Sequence, residues 1–242
     1  GSALCTNPDI DGVAFTGGLD TAHAIQRQLA NRTGPIIPLI AETAGLNCLI
    51  ADSSAQPQQL VQDVLRSAFD SAGQRCSALR VLFLPETSAN SIEQLLIGAL
   101  QTLRIGDPTD WSTDIGPVID AASKQALFEH IEQFRAQGRV LFQCHAESAT
   151  GHFVAPTLIR LSNLDELKHE AFGPILHVIR YDADATDNVI DAINRAGFGL
   201  TCGIHSRNLR RAQAFAQRLR IGNCYINRDM IGAAVGTQPF GG

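Results

Sequence analysis

Short apolar runs alternate with segments of helical period along most of this 242-residue chain, and that alternation limits the fold more than any other feature. Val13-Ala14-Phe15 reads as a buried strand, Gly17-Gly18 as a turn and residues 20–30 as a helix. Two apolar runs follow at 36–40 and 46–50, separated by Glu42-Thr43-Ala44-Gly45. Leu60, Val61, Val64, Leu65 and Ala68 recur at helical spacing, so 57–69 is an amphipathic helix with Pro57 at its start. A strand at 79–84 comes next, then a helix with Ile92, Leu95, Leu96, Ala99, Leu100 and Leu103 on one face. Residues 106–117 form a loop rich in Gly, Pro, Asp and Thr. Leu127, His130, Ile131 and Phe134 mark a third helix, and 140–142 a strand. Strands at 175–181, 201–205 and 224–227 then interleave with helices at 188–196 and 209–219. Such a succession predicts an α/β chain with a largely parallel sheet.

Charge and cysteine usage exclude several classes. The net charge is -5, acidic and basic residues are mixed, and no Lys/Arg run offers a nucleic-acid footprint, so no nucleic-acid partner is expected through this segment. None of the six cysteines forms a C-x-x-C pair and no histidine lies at zinc-finger spacing, so no metal is assigned. Cysteines inside apolar runs, such as Cys48, read as small core residues. Nothing suggests a disulfide framework, and a reducing, cytoplasmic compartment is expected. There is no charged-then-apolar leader and no apolar run long enough to span a bilayer, so no membrane partner is expected through this segment. The chain opens almost directly in a strand and stops on Phe240-Gly241-Gly242, which reads as truncation at both ends.

Four places carry candidate chemistry. Phe15-Thr16-Gly17-Gly18 before a helix suits an anion, because free N–H groups and the helix dipole face outward; taken alone, an ordinary strand-to-helix turn is the better reading, and the G-x-G-x-x-G pattern is not met. Cys76 follows small and polar residues after a helix, where a thiolate would be an accessible nucleophile toward carbonyl carbon; the alternative is one packed cysteine among six. Glu42 lies between two apolar runs, and is either a general base tuned by partial burial or a carboxylate facing solvent at a strand end. Glu170 has the same two readings, with a wet carboxylate as the usual one. The seven histidines show no triad or ligand spacing.

Taken together, these segments form a pattern. Glu42-Thr43-Ala44-Gly45-Leu46-Asn47, followed downstream by Gly73-Gln74-Arg75-Cys76, resembles the glutamate and cysteine signatures of the aldehyde dehydrogenase superfamily. Gly106-Asp107-Pro108, Gly116-Pro117, Glu170-Ala171-Phe172-Gly173-Pro174, residues 203–208 and Pro239-Phe240-Gly241-Gly242 match further family motifs in the family's order. The resemblance runs over essentially the whole chain. Within the superfamily it looks most like the glutamate-semialdehyde (1-pyrroline-5-carboxylate) dehydrogenase module of bifunctional proline-utilization proteins. Residues 67–80 and Gly222-Asn223-Cys224-Tyr225-Ile226-Asn227-Arg228 carry that likeness, with Gly232-Ala233-Ala234-Val235-Gly236 similar to the subfamily's aldehyde-anchor loop.

The resemblance implies a fold and a set of roles. Residues 1–44 would be the C-terminal part of a Rossmann-like NAD-binding domain, and 45–242 a catalytic α/β domain. Cys76 would attack a small-molecule aldehyde, L-glutamate γ-semialdehyde, and Glu42 would activate the water that hydrolyses the thioester. NAD would be the cofactor, with Gly17 and Gly18 toward its phosphates, Thr43 beside it, Glu170 on the nicotinamide ribose and Phe172 near the nicotinamide. Ser77, Gly232 and Ala233 would hold the substrate carboxylate, Phe240 would line the substrate channel, and the parent protein would be a homo-oligomer. The sequence departs from the family in having Gly18 where Ser is common and Ala44 where Gly is common. The family's upstream half, with the asparagine of the oxyanion hole, and the segment after Gly242 are not in this sequence. The isolated chain is therefore expected to be inactive. The rival reading is a non-catalytic fragment or assembly module of an aldehyde dehydrogenase with another specificity.

Overall fold

The computed structural model describes residues 1–43, 45–145, 151–234 and 236–242. The described residues fall into two compact units, Gly1–Gly45 and Leu46–Gly242. The boundary expected after residue 44 and the family departure at Ala44 involve a residue outside the described ones, as does Val235 of the anchor motif.

The first unit contains α1 (Ser2–Thr6), β1 (Val13–Thr16), α2 (Leu19–Ala30) and β2 (Leu39–Glu42). Its strands pair in parallel, from Val13 opposite Leu39 to Thr16 opposite Glu42. The run at 36–40 enters the ladder only at Leu39, because Pro35 and Pro38 have no N–H to give; the Pro38 carbonyl instead accepts from Val13 N (3.0 Å). Ile36 is left fully exposed.

The second unit is built on seven strands: β3 (Cys48–Ala51), β4 (Val81–Pro85), β5 (Val140–Gln143), β6 (Thr157–Leu161), β7 (Ile175–Tyr181), β8 (Thr201–His205) and β9 (Asn223–Ile226). Their order is β5-β6-β7-β4-β3-β8-β9, parallel throughout except for the antiparallel β5–β6 pair at one edge. Every residue of β3, β4 and β8 is buried, as expected of apolar strands covered on both faces. The sequence's helices are α3 (Pro57–Phe69), α4 (Glu86–Leu100), α5 (Ala121–Arg135), α6 (Thr186–Ala196) and α7 (Leu209–Arg218). Pro57 occupies the first turn of α3, and the Gln56 side chain accepts from Gln59 N to cap it. β6 has no counterpart in the sequence reading. Its Arg160 interrupts the apolar run; the side chain is partly exposed and its charge pairs with Glu93 on α4 (2.6 Å).

The chain runs from β3 through α3 to β4 on one side, and β8 later takes the other side of β3. The carboxyl ends of β3 and β8 therefore flank the point where the winding reverses, the usual ligand crevice of an open α/β sheet. Most of the candidate residues of this unit lie instead on segments that enter the strands.

Candidate active site

Within the first unit, Gly17 and Glu42 meet at the carboxyl ends of β1 and β2, where Gly17 N donates to the Glu42 carbonyl (3.1 Å). Gly18 is exposed and caps α2 in an extended conformation, so the first-turn N–H groups of a twelve-residue helix open beside a residue with no side chain. Glu42 and Thr43 are half-buried. These four residues lie at the carboxyl end of the two-stranded sheet.

In the second unit the sulfur-bearing segment follows α3 and leads into β4. Ser71, Ala72 and Gly73 take successive left-handed conformations (φ 57°, 53° and 66°), which reverse the chain after the helix. A Cβ on Gly73 would collide with the Gly173 carbonyl, so the approach of these two loops requires glycine. Gln74 ties the turn down from its other side, accepting from Ile119 N (2.9 Å) and donating to the Pro117 carbonyl (3.3 Å). Cys76 then stands exposed, whereas Cys5, Cys48, Cys144 and Cys202 are buried and Cys224 is half-buried. Burial pushes the Cys144 thiol up to about 11 and raises Cys48 and Cys202 well above the ordinary range, so those three are poor nucleophiles.

The backbone around Cys76 is fixed by side chains that the sequence reading did not single out. Asn47, just before β3, donates to the carbonyls of Cys76 (2.6 Å) and Ala78 (2.9 Å), and its Oδ1 accepts from Thr201 N (3.2 Å). Thr201 Oγ1 donates to the Ser77 carbonyl (3.2 Å). Arg80 is 0% exposed and reaches two loops at once. Its Nε donates to Glu170 Oε1 (2.9 Å), Nη1 to the carbonyls of Gly73 (2.7 Å) and Gly173 (3.3 Å), and Nη2 to the Arg75 carbonyl (3.2 Å). Its guanidinium also lies 5.1 Å from the centre of the Phe172 ring. Burial pulls the Arg80 pKa below its ordinary value, while the Glu170 carboxylate and the Cys76 sulfur act in the opposite direction. Arg80 and Asn47 were readable in principle: a charge and an amide inside apolar runs are tolerated only when paired.

Glu170 departs from the wet carboxylate expected of its local sequence, since its side chain is 7% exposed and ion-paired with Arg80. Phe172 keeps 44% of its surface open, and so does Phe240. The segment bearing Phe240 is fastened at the start of β9, where Asn223 Nδ2 donates to the Pro239 carbonyl (3.0 Å). Ser77 is buried. Gly232 and Ala233 lie in an exposed stretch after Met230, whose N–H donates to Ser67 Oγ on α3 (3.0 Å). Cys76, Ser77, Glu170, Phe172 and Phe240 thus all sit on segments at the amino-terminal ends of β4, β7 and β9. Gly232 and Ala233 follow β9, and the residues just before them are tied to α3 through Ser67 and through the Arg66–Asp229 ion pair (3.6 Å). No group of three or more His, Cys, Asp and Glu suited to a metal occurs among the described residues, and no described helix is long and apolar enough to cross a membrane.

The sequence matches the model of the aldehyde dehydrogenase family over residues 1–242. It is 48% identical over 252 aligned positions to the bifunctional protein PutA of Klebsiella aerogenes, covering 100% of this chain and 19% of that protein. A crystal structure of bifunctional proline utilization A superposes with a TM-score of 0.96 at 50% identity, covering 99% of this chain and 24% of that one. A Thermus 1-pyrroline-5-carboxylate dehydrogenase with bound NAD superposes with a TM-score of 0.90 at 28% identity, covering 99% of this chain and 47% of that one. The chain therefore spans about a fifth of the length of its PutA relatives.

Proposed function

The chain belongs to the aldehyde dehydrogenase family, and on that premise we propose that the protein carrying it oxidises L-glutamate γ-semialdehyde to L-glutamate with NAD. In this reading the first unit supplies part of the cofactor domain and the second the thiol domain. The observation that carries the proposal is Cys76, an exposed sulfur on a backbone immobilised by Asn47, Thr201 and Arg80. The similarity to PutA and to 1-pyrroline-5-carboxylate dehydrogenase supports the choice of substrate.

Each unit taken by itself offers groups that suit part of a dinucleotide. Gly17 and Gly18 present a helix N-terminus without side chains, Thr43 adjoins them in the same unit, Glu170 is a charged acceptor fixed by Arg80, and Phe172 offers an open ring face. When bound, NAD supplies a two-electron acceptor for hydride. The Cys76 sulfur forms a bond to the aldehyde carbon, and the carbonyl oxygen takes a proton to give a thiohemiacetal. That carbon's C–H bond breaks with loss of hydride, the hydroxyl proton is released, and a thioester remains on Cys76. Glu42 takes a proton from the water that attacks the thioester; the C–S bond breaks and the sulfur regains its proton. Ser77, Gly232 and Ala233 hold the substrate carboxylate, and Phe240 lines the approach.

In the full-length protein, Cys76→Ala is expected to abolish NADH formation from the semialdehyde while NAD binding by calorimetry stays within about threefold, because the sulfur makes the covalent intermediate and not the cofactor site. Residual turnover above a few per cent of wild type would defeat the assignment.

A further inference from the structure

Arg80 has a place in this arrangement that its neighbours do not share. Asn47 and Thr201 touch only the sulfur-bearing segment and the strands beneath it. Arg80 alone among the described side chains near Cys76 bonds both to that segment, at the Gly73 and Arg75 carbonyls, and to the 170–173 loop, at Glu170 and the Gly173 carbonyl. The two loops approach so closely that Gly73 admits no Cβ against Gly173. Such a planar guanidinium, with donors at fixed angles, converts loop contact into defined loop spacing. Its own position is set from behind: the Arg80 carbonyl accepts from His177 N (2.9 Å) and lies 3.0 Å from His177 Nδ1, on the adjacent strand β7.

We propose that Arg80 is a positioning residue of the oxidation: it fixes the loop bearing Cys76 against the loop bearing Glu170 and Phe172, and so sets the distance over which hydride leaves the thiohemiacetal carbon. The inference rests on reading Cys76 as the nucleophile and Glu170–Phe172 as the cofactor loop. A lysine at this position keeps the charge but has no fork, so it cannot hold carbonyls of both loops and the carboxylate together. A misplacement of about 1 Å is enough to cost roughly 10²-fold in rate.

The test uses the full-length protein with Arg80→Lys and Arg80→Met. Three quantities are measured: NAD affinity by calorimetry, the rate at which iodoacetamide alkylates Cys76 without NAD, and the primary deuterium isotope effect on kcat with aldehyde deuterated at the reacting carbon. For folded variants, NAD binding is expected to weaken about tenfold and the alkylation rate to change severalfold in the same variant. kcat should fall by about 10²-fold, with an isotope effect larger than that of wild type because hydride departure becomes limiting. If Arg80→Met does not fold, Arg80→Lys decides. A variant that loses only thermal stability, with the other quantities within twofold of wild type, would overturn the proposal. So would weaker NAD binding with unchanged alkylation, since Arg80 would then serve Glu170 alone. Failure of the functional reading is separately visible: wild type would not oxidise the semialdehyde, while alkylation and NAD binding would still report on Arg80.

Discussion

The two ends of strands β3 and β8 are built from similar side chains and do opposite things. At the carboxyl ends, Asp52 is buried and saturated: Oδ1 accepts from Ser54 N (2.8 Å) and Ser53 Oγ (3.1 Å), and Oδ2 from Ser206 Oγ (3.0 Å), with Arg211 Nε at 3.2 Å. Asn227, left-handed at φ 53°, closes the network by exchanging two bonds with the backbone of Ser206 (2.9 and 2.8 Å). Burial alone would raise the Asp52 pKa, but the donors from Ser54 and Ser206 and the charge of Arg211 hold it below the ordinary carboxylate range. At the amino-terminal ends, Asn47 and Arg80 donate to the backbone carbonyls of Cys76 and Arg75, and the Cys76 side chain is left exposed. The crevice that open α/β sheets usually offer to ligands is therefore filled by a saturated polar network, and the thiol proposed as nucleophile stands at the other end. A polar network becomes a site where one member is left facing outward on a backbone the others hold still.

This contrast gives its largest measurable effect at Asp52. Asp52→Ala leaves Ser54 N, Ser206 and Arg211 without their acceptor, and should cost roughly 3 kcal/mol of stability, read from the denaturant midpoint of the full-length protein. Arg211 is partly exposed, which keeps the figure at the low end for a broken ion pair. kcat with the semialdehyde should stay within twofold. A comparable loss in kcat would erase the distinction between a plugged end and a working one.

How much of this the sequence disclosed depends on the kind of interaction. The 57–69 helix is legible to the residue, because its period, its opening proline and its cap are all local. Strand β2 is displaced from the expected 36–40 by two prolines, also a local cause that the apolar pattern outweighed. β6 was not legible, since the Glu93 that neutralises Arg160 lies 67 residues away. The same holds for the site. Cys76 and Glu42 stood out through family motifs, whereas the role of Arg80 depends on Glu170, 90 positions distant, and that of Asn47 on Thr201, 154 distant. Local sequence left Glu170 open between a functional and a solvated carboxylate, because nothing near it announces a buried arginine.

Acid should act on both ends through one buried histidine each. His177, behind Arg80, is pushed down to about 3 by burial and by the neighbouring His130 charge; His205, the last residue of β8, is pushed down to about 4 by burial. In the unfolded chain both would titrate near 6.5, so the unfolded state binds protons first as pH falls. The stability they contribute is therefore complete above about pH 6.5 and is lost as pH drops toward 3 and 4 respectively. Between pH 7 and pH 5 each should cost about 2 kcal/mol. His177→Gln and His205→Gln should each flatten the pH dependence of the denaturant midpoint by about that amount. Only the His177 variant should also alter the alkylation rate of Cys76, because only His177 contacts the Arg80 carbonyl. Equal kinetic effects from both would mean that the two ends are mechanically coupled.

The smallest effect belongs to Ser67, which links the amino-end site to the stretch that leaves β9. Ser67 is 1% exposed near the end of α3. Its carbonyl accepts from Leu79 N (2.9 Å), fixing the exit of the sulfur-bearing segment, and its Oγ accepts from Met230 N (3.0 Å) while donating to the Asp63 carbonyl (2.6 Å). Ser67 thus joins the sulfur-bearing segment, through its carbonyl, to the residues just before Gly232 and Ala233, through its hydroxyl. Ser67→Ala leaves the first bond intact, because it is made by the backbone, and deprives the buried Met230 N–H of its acceptor at a cost of roughly 1–2 kcal/mol. If Gly232 and Ala233 hold a substrate carboxylate, that cost falls on the semialdehyde and not on an aldehyde without a carboxylate. KM for the semialdehyde should rise about three- to tenfold, with kcat for a plain aliphatic aldehyde unchanged. Equal losses on both substrates would show that Ser67 steadies the nucleophile itself, and the stretch after β9 would then belong with the closed, structural end of the sheet.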